Sequence, residues 1–230
     1  PPRLSRKELR HLTGLTSIVA LSQIAKGLSL KADNLIAAVI LGPEYSAVLG
    51  LTGRSLDTIR PIPDRISSAL QPGLSHLFGE GRTARTREVT LDIISITAGI
   101  SVLCAAAMIG LNRGFVTIWV GEQFFAGQGV TVILGAAFIA TMLRNAVMDS
   151  LFAVREIKST SWLGTLETFV RIVLSVILAK LCGIAGIPLG ALFAVTVVNG
   201  IPFVWLLMHR LGIEKAQLWA EGKRFCVLSG

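Results

Sequence analysis

This sequence predicts an all-α, polytopic membrane protein, and three observations carry that prediction. Apolar residues make up 52% of the 230 and charged residues only 16%, with a mean hydropathy of +0.68; ordinary soluble domains carry ~25% charge. The apolar residues gather into stretches that reach the ~20 positions a helix needs to cross a bilayer. Lys and Arg fall mostly in the connections, and almost all of them in alternate connections.

Six spans follow in chain order. The first, Leu12–Leu41, carries Lys26, Lys31 and Asp33 and closes on Leu41-Gly42-Pro43. The second, Tyr45–Phe78, is long and the most polar, and Pro61, Pro63 and Pro72 should bend it, since proline removes a helical N–H and crowds the preceding turn. Val89–Leu111 and Val130–Phe152 are ordinary in length, the latter with Arg144 inside. Trp162–Cys182 contains Glu167 and Arg171, and Ile187–Met208 should bend at Gly200 and Pro202. The chain therefore divides into a basic segment at 1–11, a six-helix bundle at 12–208 and a tail at 209–230. The first residues carry no initiator Met, so a fragment of a longer chain is expected.

Thirteen Lys and Arg lie before the first span, in the second-to-third and fourth-to-fifth links and in the tail, whereas the opposite connections hold only Arg113. By the positive-inside rule both flanks face the cytoplasm. Trp119 in the longer outer connection, with Trp162 and Trp205 near helix ends, fits an interfacial aromatic belt.

The charges inside the spans are the functional question. A cation at the bilayer centre costs at least ~2.5–3.5 kcal/mol on insertion scales. On a straight helix, Arg54, Asp57, Pro61, Asp64, Arg65 and Ser68 share one face of the second span, with Arg60 at its edge; Ser22, Lys26, Ser29 and Asp33 share a face of the first. Lys31 lies off that face and is expected to snorkel outward. Asp57 with Arg54, Asp64 with Arg60 and Glu167 with Arg171 have ion-pair spacing, and the last has the favourable i,i+4 order. Seven cations (Lys26, Lys31, Arg54, Arg60, Arg65, Arg144, Arg171) face four anions (Asp33, Asp57, Asp64, Glu167), so pairing leaves three cations over. Such a surplus calls for an anion, and Arg suits the oxygens of phosphate.

Other classes fit less well. The basic composition comes with no nucleic-acid-binding signature. Cys104, Cys182 and Cys226 form neither a disulfide framework nor a zinc pattern. No catalytic constellation or metal motif is present, so no catalytic or metal-ligating residue is assigned and a membrane glycosyl- or prenyl-transferase is a remote alternative.

The stretch from Lys31 to Gly81 resembles bacterial polysaccharide (O-antigen) flippases of the multidrug/oligosaccharidyl-lipid/polysaccharide exporter superfamily. The matching residues are Asp33, Leu41-Gly42-Pro43 and Pro72 through Gly81; Ile118-Trp119-Val120-Gly121 and the glycine-rich Gly183–Ala191 extend the likeness. The resemblance implies a two-bundle transporter of which six spans are one half. The basic leading segment favours the carboxy-terminal half, and the amino-terminal half stays open. It further implies a multi-pass inner-membrane flippase, not an enzyme, that moves polyprenyl-pyrophosphate-linked oligosaccharide for surface polysaccharide synthesis. The expected partners are that substrate, membrane lipid and the other six-helix half, with no nucleic acid. Lys26, Arg54, Arg60, Arg65 and Arg144 are the expected substrate-binding cations. Asp33, Asp57 and Asp64 would tune charge or couple an ion; no cofactor is expected beyond coupling to Na+ or H+. A cation-coupled multidrug antiporter of the same superfamily is the alternative, and the surplus of positive charge argues against it.

Overall fold

The computed structural model describes residues 17, 20, 24, 27, 28 and 31–211. Helix α1 covers 31–40, and the helices that follow are α2 (Pro43–Ile59), α3 (Pro61–Gly79), α4 (Thr83–Trp119), α5 (Gln128–Ala153), α6 (Ile157–Cys182), α7 (Gly186–Ala194) and α8 (Ile201–Leu211). A π-turn at Val195–Gly200 joins α7 to α8. Among the described residues there is no strand, and the chain is an all-α polytopic membrane protein. Three stretches among the described residues are long and apolar enough to cross a membrane: Thr83–Trp119, Gln128–Ala153 and Ile157–Leu207. The last doubles back at Gly183, so it holds both the fifth and sixth expected spans. Apolar side chains point outward along these stretches, among them Leu103, Ile118, Phe169 and Leu181, as a lipid-facing surface requires.

The second expected span is not one helix. Pro61 and Pro63 have no N–H to give to the carbonyls of Asp57 and Ile59, and the chain turns at Arg60 between α2 and α3. Pro72, by contrast, is carried inside α3. Trp119 also differs from expectation: it is the last residue of α4, 5.5 Å from the Phe115 ring, rather than part of the connection. In the sixth span, Pro202 withholds its N–H from Val198, and the preceding turn widens into the π-turn.

Helix α5 is the hub, touching α2, α3, α4, α6, α7 and α8. Its small buried residues, Gly135, Ala137, Ala146 and Ala153, let neighbours approach closely. The α6–α7 hairpin is tighter still. A Cβ on Gly186 would sit 1.9 Å from the Leu178 carbonyl oxygen, and one on Gly190 would sit 2.5 Å from the Ser175 nitrogen. Only glycine lets these two backbones meet, and Ser175 Oγ donates to the Ile187 carbonyl across the seam at 3.1 Å.

One apolar cluster, with Ile36, Leu49, Val130 and Ile187, closes the end of the bundle that holds the α1–α2 turn. Another, with Leu151, Val154, Phe203 and Leu207, closes the opposite end. Val130 and Leu151 are ~30 Å apart along α5, the thickness of a bilayer core. The basic links at Arg82–Arg87 and Arg155–Lys158 both lie at the second end, next to Phe78, Leu91 and Leu163.

Candidate functional site

Helix α2 presents one face to a cleft. Leu49, Gly50, Gly53, Arg54, Leu56, Asp57 and Arg60 recur at helical spacing along it. Gly50 and Gly53 leave room between the longer residues, and Gly50 lies against the Asn34 side chain of α1. The opposite wall is Lys31, Asp33 and Asn34 of α1 with Arg171 of α6, and Leu134 and Pro188 complete the lining. The cleft encloses ≈ 440 Å³.

Charge is distributed unevenly within it. Arg171 Nη2 donates to Asp33 Oδ2 at 2.6 Å, a contact between α6 and α1 with both side chains largely buried. Arg60 and Asp57 approach only to 4.0 Å, and Asp57 is more than half exposed. Lys31 and Arg54 are exposed and make no ion pair among the described residues. Among the described residues four cations therefore face two carboxylates, a net charge of +2 on one cleft. Asp33 Oδ1, Arg60 Nε and Arg171 Nε are buried and have no hydrogen-bond partner among the described residues.

The structure brings together Arg54, Arg60, Asp33 and Asp57 from the expected set, and it adds Lys31 and Arg171. Lys31 does not snorkel away. Its side chain lines the cleft beside Arg54, because α1 folds back on α2 through the tight turn at Gly42. The expected Glu167–Arg171, Asp64–Arg60 and Asp57–Arg54 pairs do not form. Arg171 turns to Asp33, Arg60 to Asp57, and Glu167 takes Arg144 instead. Asp64 lies past the break at Arg60, where Asn145 Nδ2 donates to it at 2.7 Å; one turn on, Ser67 donates to Asp149 at 3.0 Å, tying α3 to α5. Arg65 is exposed on α3 and does not line the cleft. Lys26, with Ser22 and Ser29, lies outside the described residues.

Arg144 belongs to a second cluster. Its Nε lies 3.2 Å from Glu167 Oε2, while Nη2 donates to Oε1 at 3.4 Å. Asn199 of the π-turn donates through Nδ2 to Glu167 Oε2 at 2.7 Å. Glu167 is 2% exposed. Formally neutral and enclosed, this cluster joins α5, α6 and the π-turn.

A further polar network, with no forewarning in the sequence pattern, anchors the α2 side of the cleft. Ser55 Oγ donates to Asn112 Oδ1 at 2.8 Å, and Asn112 Nδ2 donates to the Thr52 carbonyl at 3.0 Å. Thr52 Oγ1 in turn donates to the Phe124 carbonyl and accepts from the Ala126 N–H at 3.1 and 2.9 Å. Buried polar groups so satisfied rigidify the elements they join. Helix α2 is thereby held to α4 while its arginines stay on the other face.

No group of three His, Cys, Asp or Glu among the described residues could hold a metal ion. The cleft instead gathers guanidinium and ammonium groups from three helices with incomplete neutralisation among the described residues. Residues 62–228, well over half of the chain, match the family model described as lipid II flippase MurJ. No curated protein and no solved structure matches.

Proposed function

The chain belongs to the MurJ family of lipid II flippases, and from that premise we propose that the cleft between α1, α2 and α6 receives the pyrophosphate of a lipid-linked precursor. Members of this family flip lipid-linked precursors across the membrane and are transporters, not enzymes. The membership also moves the reading away from a surface-polysaccharide precursor toward the cell-wall precursor lipid II, and the two share the polyprenyl-pyrophosphate linkage. One observation supports the cleft above all: Lys31, Arg54, Arg60 and Arg171 outnumber Asp33 and Asp57 in a space of ≈ 440 Å³. An anion whose charge is constant while its sugars vary suits such a site, and bidentate Arg contacts suit phosphate oxygens. The same excess disfavours a cationic drug as substrate.

In this reading Arg54 and Lys31, both exposed, meet the phosphate first, and Arg60 and Arg171 close around it. Arg65 and Arg144 have no part in it, and Asp33 holds Arg171 in place. The basic links gathered at one end of the bundle support a cytoplasmic placing of that end. A second six-helix unit would close the open side of the cleft. The direct test is Arg54→Ala with Arg60→Ala in the full-length protein, reconstituted with a fluorescent lipid II. Membrane insertion should be preserved and flipping lost; flipping at the normal rate would sink the proposal.

A further inference from the structure

The cleft is not uniform along its length. Helix α2 gives it Leu49, Gly50 and Gly53 toward the α1–α2 turn, then Arg54, Asp57 and Arg60 further from it. The same order holds on α1, where Asn34 lies nearer the turn than Lys31 and Asp33. One end of the cleft is therefore neutral and the other cationic.

Two glycines inside a 17-residue helix call for a reason, since glycine weakens a helix relative to alanine. Gly50 has a packing reason. A Cβ there would sit 3.4 Å from Asn34 Oδ1, so its absence lets the amide lie on the α2 backbone. Gly53 has none: a Cβ at that position would meet no described atom within 4 Å, and the residue lines the cleft. Asn34 is held from behind, because Ser46 Oγ donates to its carbonyl at 2.8 Å. Its side-chain amide makes no hydrogen bond among the described residues, which leaves a donor and an acceptor free at the wall of this notch.

We propose that Asn34, Gly50 and Gly53 form a sugar subsite at the neutral end of the cleft, which seats the ring bonded to the phosphate at Arg54. This rests on the phosphate reading of the cleft. Arg54 and Arg60 lie ~9 Å apart along the helix axis, so two linked phosphates can be shared between them. The group carried on the Arg54 side then falls against Gly53. A hydrocarbon chain suits that position poorly, because it would cover the Asn34 amide without pairing it. A sugar suits it on both counts. Its hydroxyl and amide substituents pair with a carboxamide, which donates and accepts in one plane. Its C–H face rests on glycine backbone, where any longer side chain would stand in the way.

Calorimetric titrations of the full-length protein in detergent compare two charge-matched monoesters, N-acetylglucosamine 1-phosphate and methyl phosphate. The wild type should bind the sugar ester about five- to tenfold tighter, the worth of one or two neutral hydrogen bonds. Gly53→Leu fills the notch and Asn34→Ala removes the amide; each should bring that ratio close to one. A ratio of one in the wild type overturns the proposal, and so does a variant that keeps the wild-type ratio. Should Gly53→Leu fail to accumulate, Asn34→Ala, at an exposed position, is read by the same ratio. Gly53→Ala separates recognition from folding. Its thermal midpoint should rise, because alanine is the better helix former, while the ratio falls; a lower midpoint would give Gly53 a packing role and overturn its place in the subsite. Fluorescent lipid II in liposomes tells a lipid-linked sugar from a soluble sugar phosphate. Gly53→Leu should slow flipping several-fold, and flipping at the wild-type rate would assign the notch to a soluble ester and overturn the proposal. Failure of the phosphate reading shows separately, as methyl phosphate binding that Arg54→Ala with Arg60→Ala leaves unchanged, and it takes the subsite with it.

Discussion

Glu167 and Arg171 lie one turn apart on α6, yet they belong to two clusters that treat charge in opposite ways. Arg171 enters an open cleft where four cations face two carboxylates, with Lys31, Arg54 and Asp57 exposed at its walls. Glu167 enters an enclosed cluster where one cation meets one anion and an amide fills the remaining contact. The difference teaches how to read a charge inside a membrane helix. An enclosed and balanced group ties helices together and responds to loss of a partner. An open and unbalanced group is stable only because water or an anion reaches it, and it responds to ligand.

Breaking both clusters at once should have the largest effect. Gly186→Val forces a side chain into the Leu178 backbone and parts α7 from α6. No folded protein should be recovered in detergent, as size-exclusion chromatography would report. Next comes the enclosed cluster alone. Arg144→Met strands a buried carboxylate, and such losses cost ~3–5 kcal/mol; the thermal midpoint should fall sharply. Adding Glu167→Gln to it should recover most of that loss, since a neutral pair removes the stranded charge. Equal midpoints for the single and double variants would refute the balanced-pair description.

The open cleft should behave otherwise. Arg54→Ala should leave the thermal midpoint nearly unchanged and weaken binding of inorganic pyrophosphate by ~10- to 100-fold, the worth of one charge-assisted contact at ~1.5–3 kcal/mol. Calorimetric titration measures it. The smallest effect is expected from Asp57→Asn, which raises the cleft's net charge by one at a position more than half exposed. Pyrophosphate should bind a few-fold tighter at low salt, within the ~1 kcal/mol that exposed charge contacts provide, and the gain should fade at high salt through screening. A gain that persists at high salt would mean that Asp57 acts by direct contact.

Much of the cleft was legible along α2. Arg54 and Asp57 share a face on any helical wheel, and they share it in the structure. The wheel failed where it was extended through Pro61 and Pro63: Asp64 and Arg65 sit on a different helix with a different axis. Arg171 was hidden by a local signal. Glu167 stands at the favourable i,i+4 distance, but that spacing is worth only ~0.2–0.5 kcal/mol on an exposed helix and gives way when α1 and α5 bring closer partners. The side of Lys31 follows from the fold-back at Gly42, which a helical wheel of its own segment does not contain. The charge of Arg144 alone does not reveal that Glu167 neutralises it, and Asn199, the other partner of Glu167, gives no local signal because the π-turn brings it there.

The sequence by itself determined the class of the protein and the course of α4, α5 and α6. Hydropathy and the placement of Lys and Arg are sums along the chain, and a bilayer reads such sums directly. It also determined that positive charge is in excess. Only the tertiary structure decided where the excess resides. Asp33 and Arg171 are 138 residues apart, and whether two charges neutralise each other depends on a separation of a few ångströms that no local period encodes. That decision leaves Arg144 balanced and gathers the unbalanced cations around one cleft.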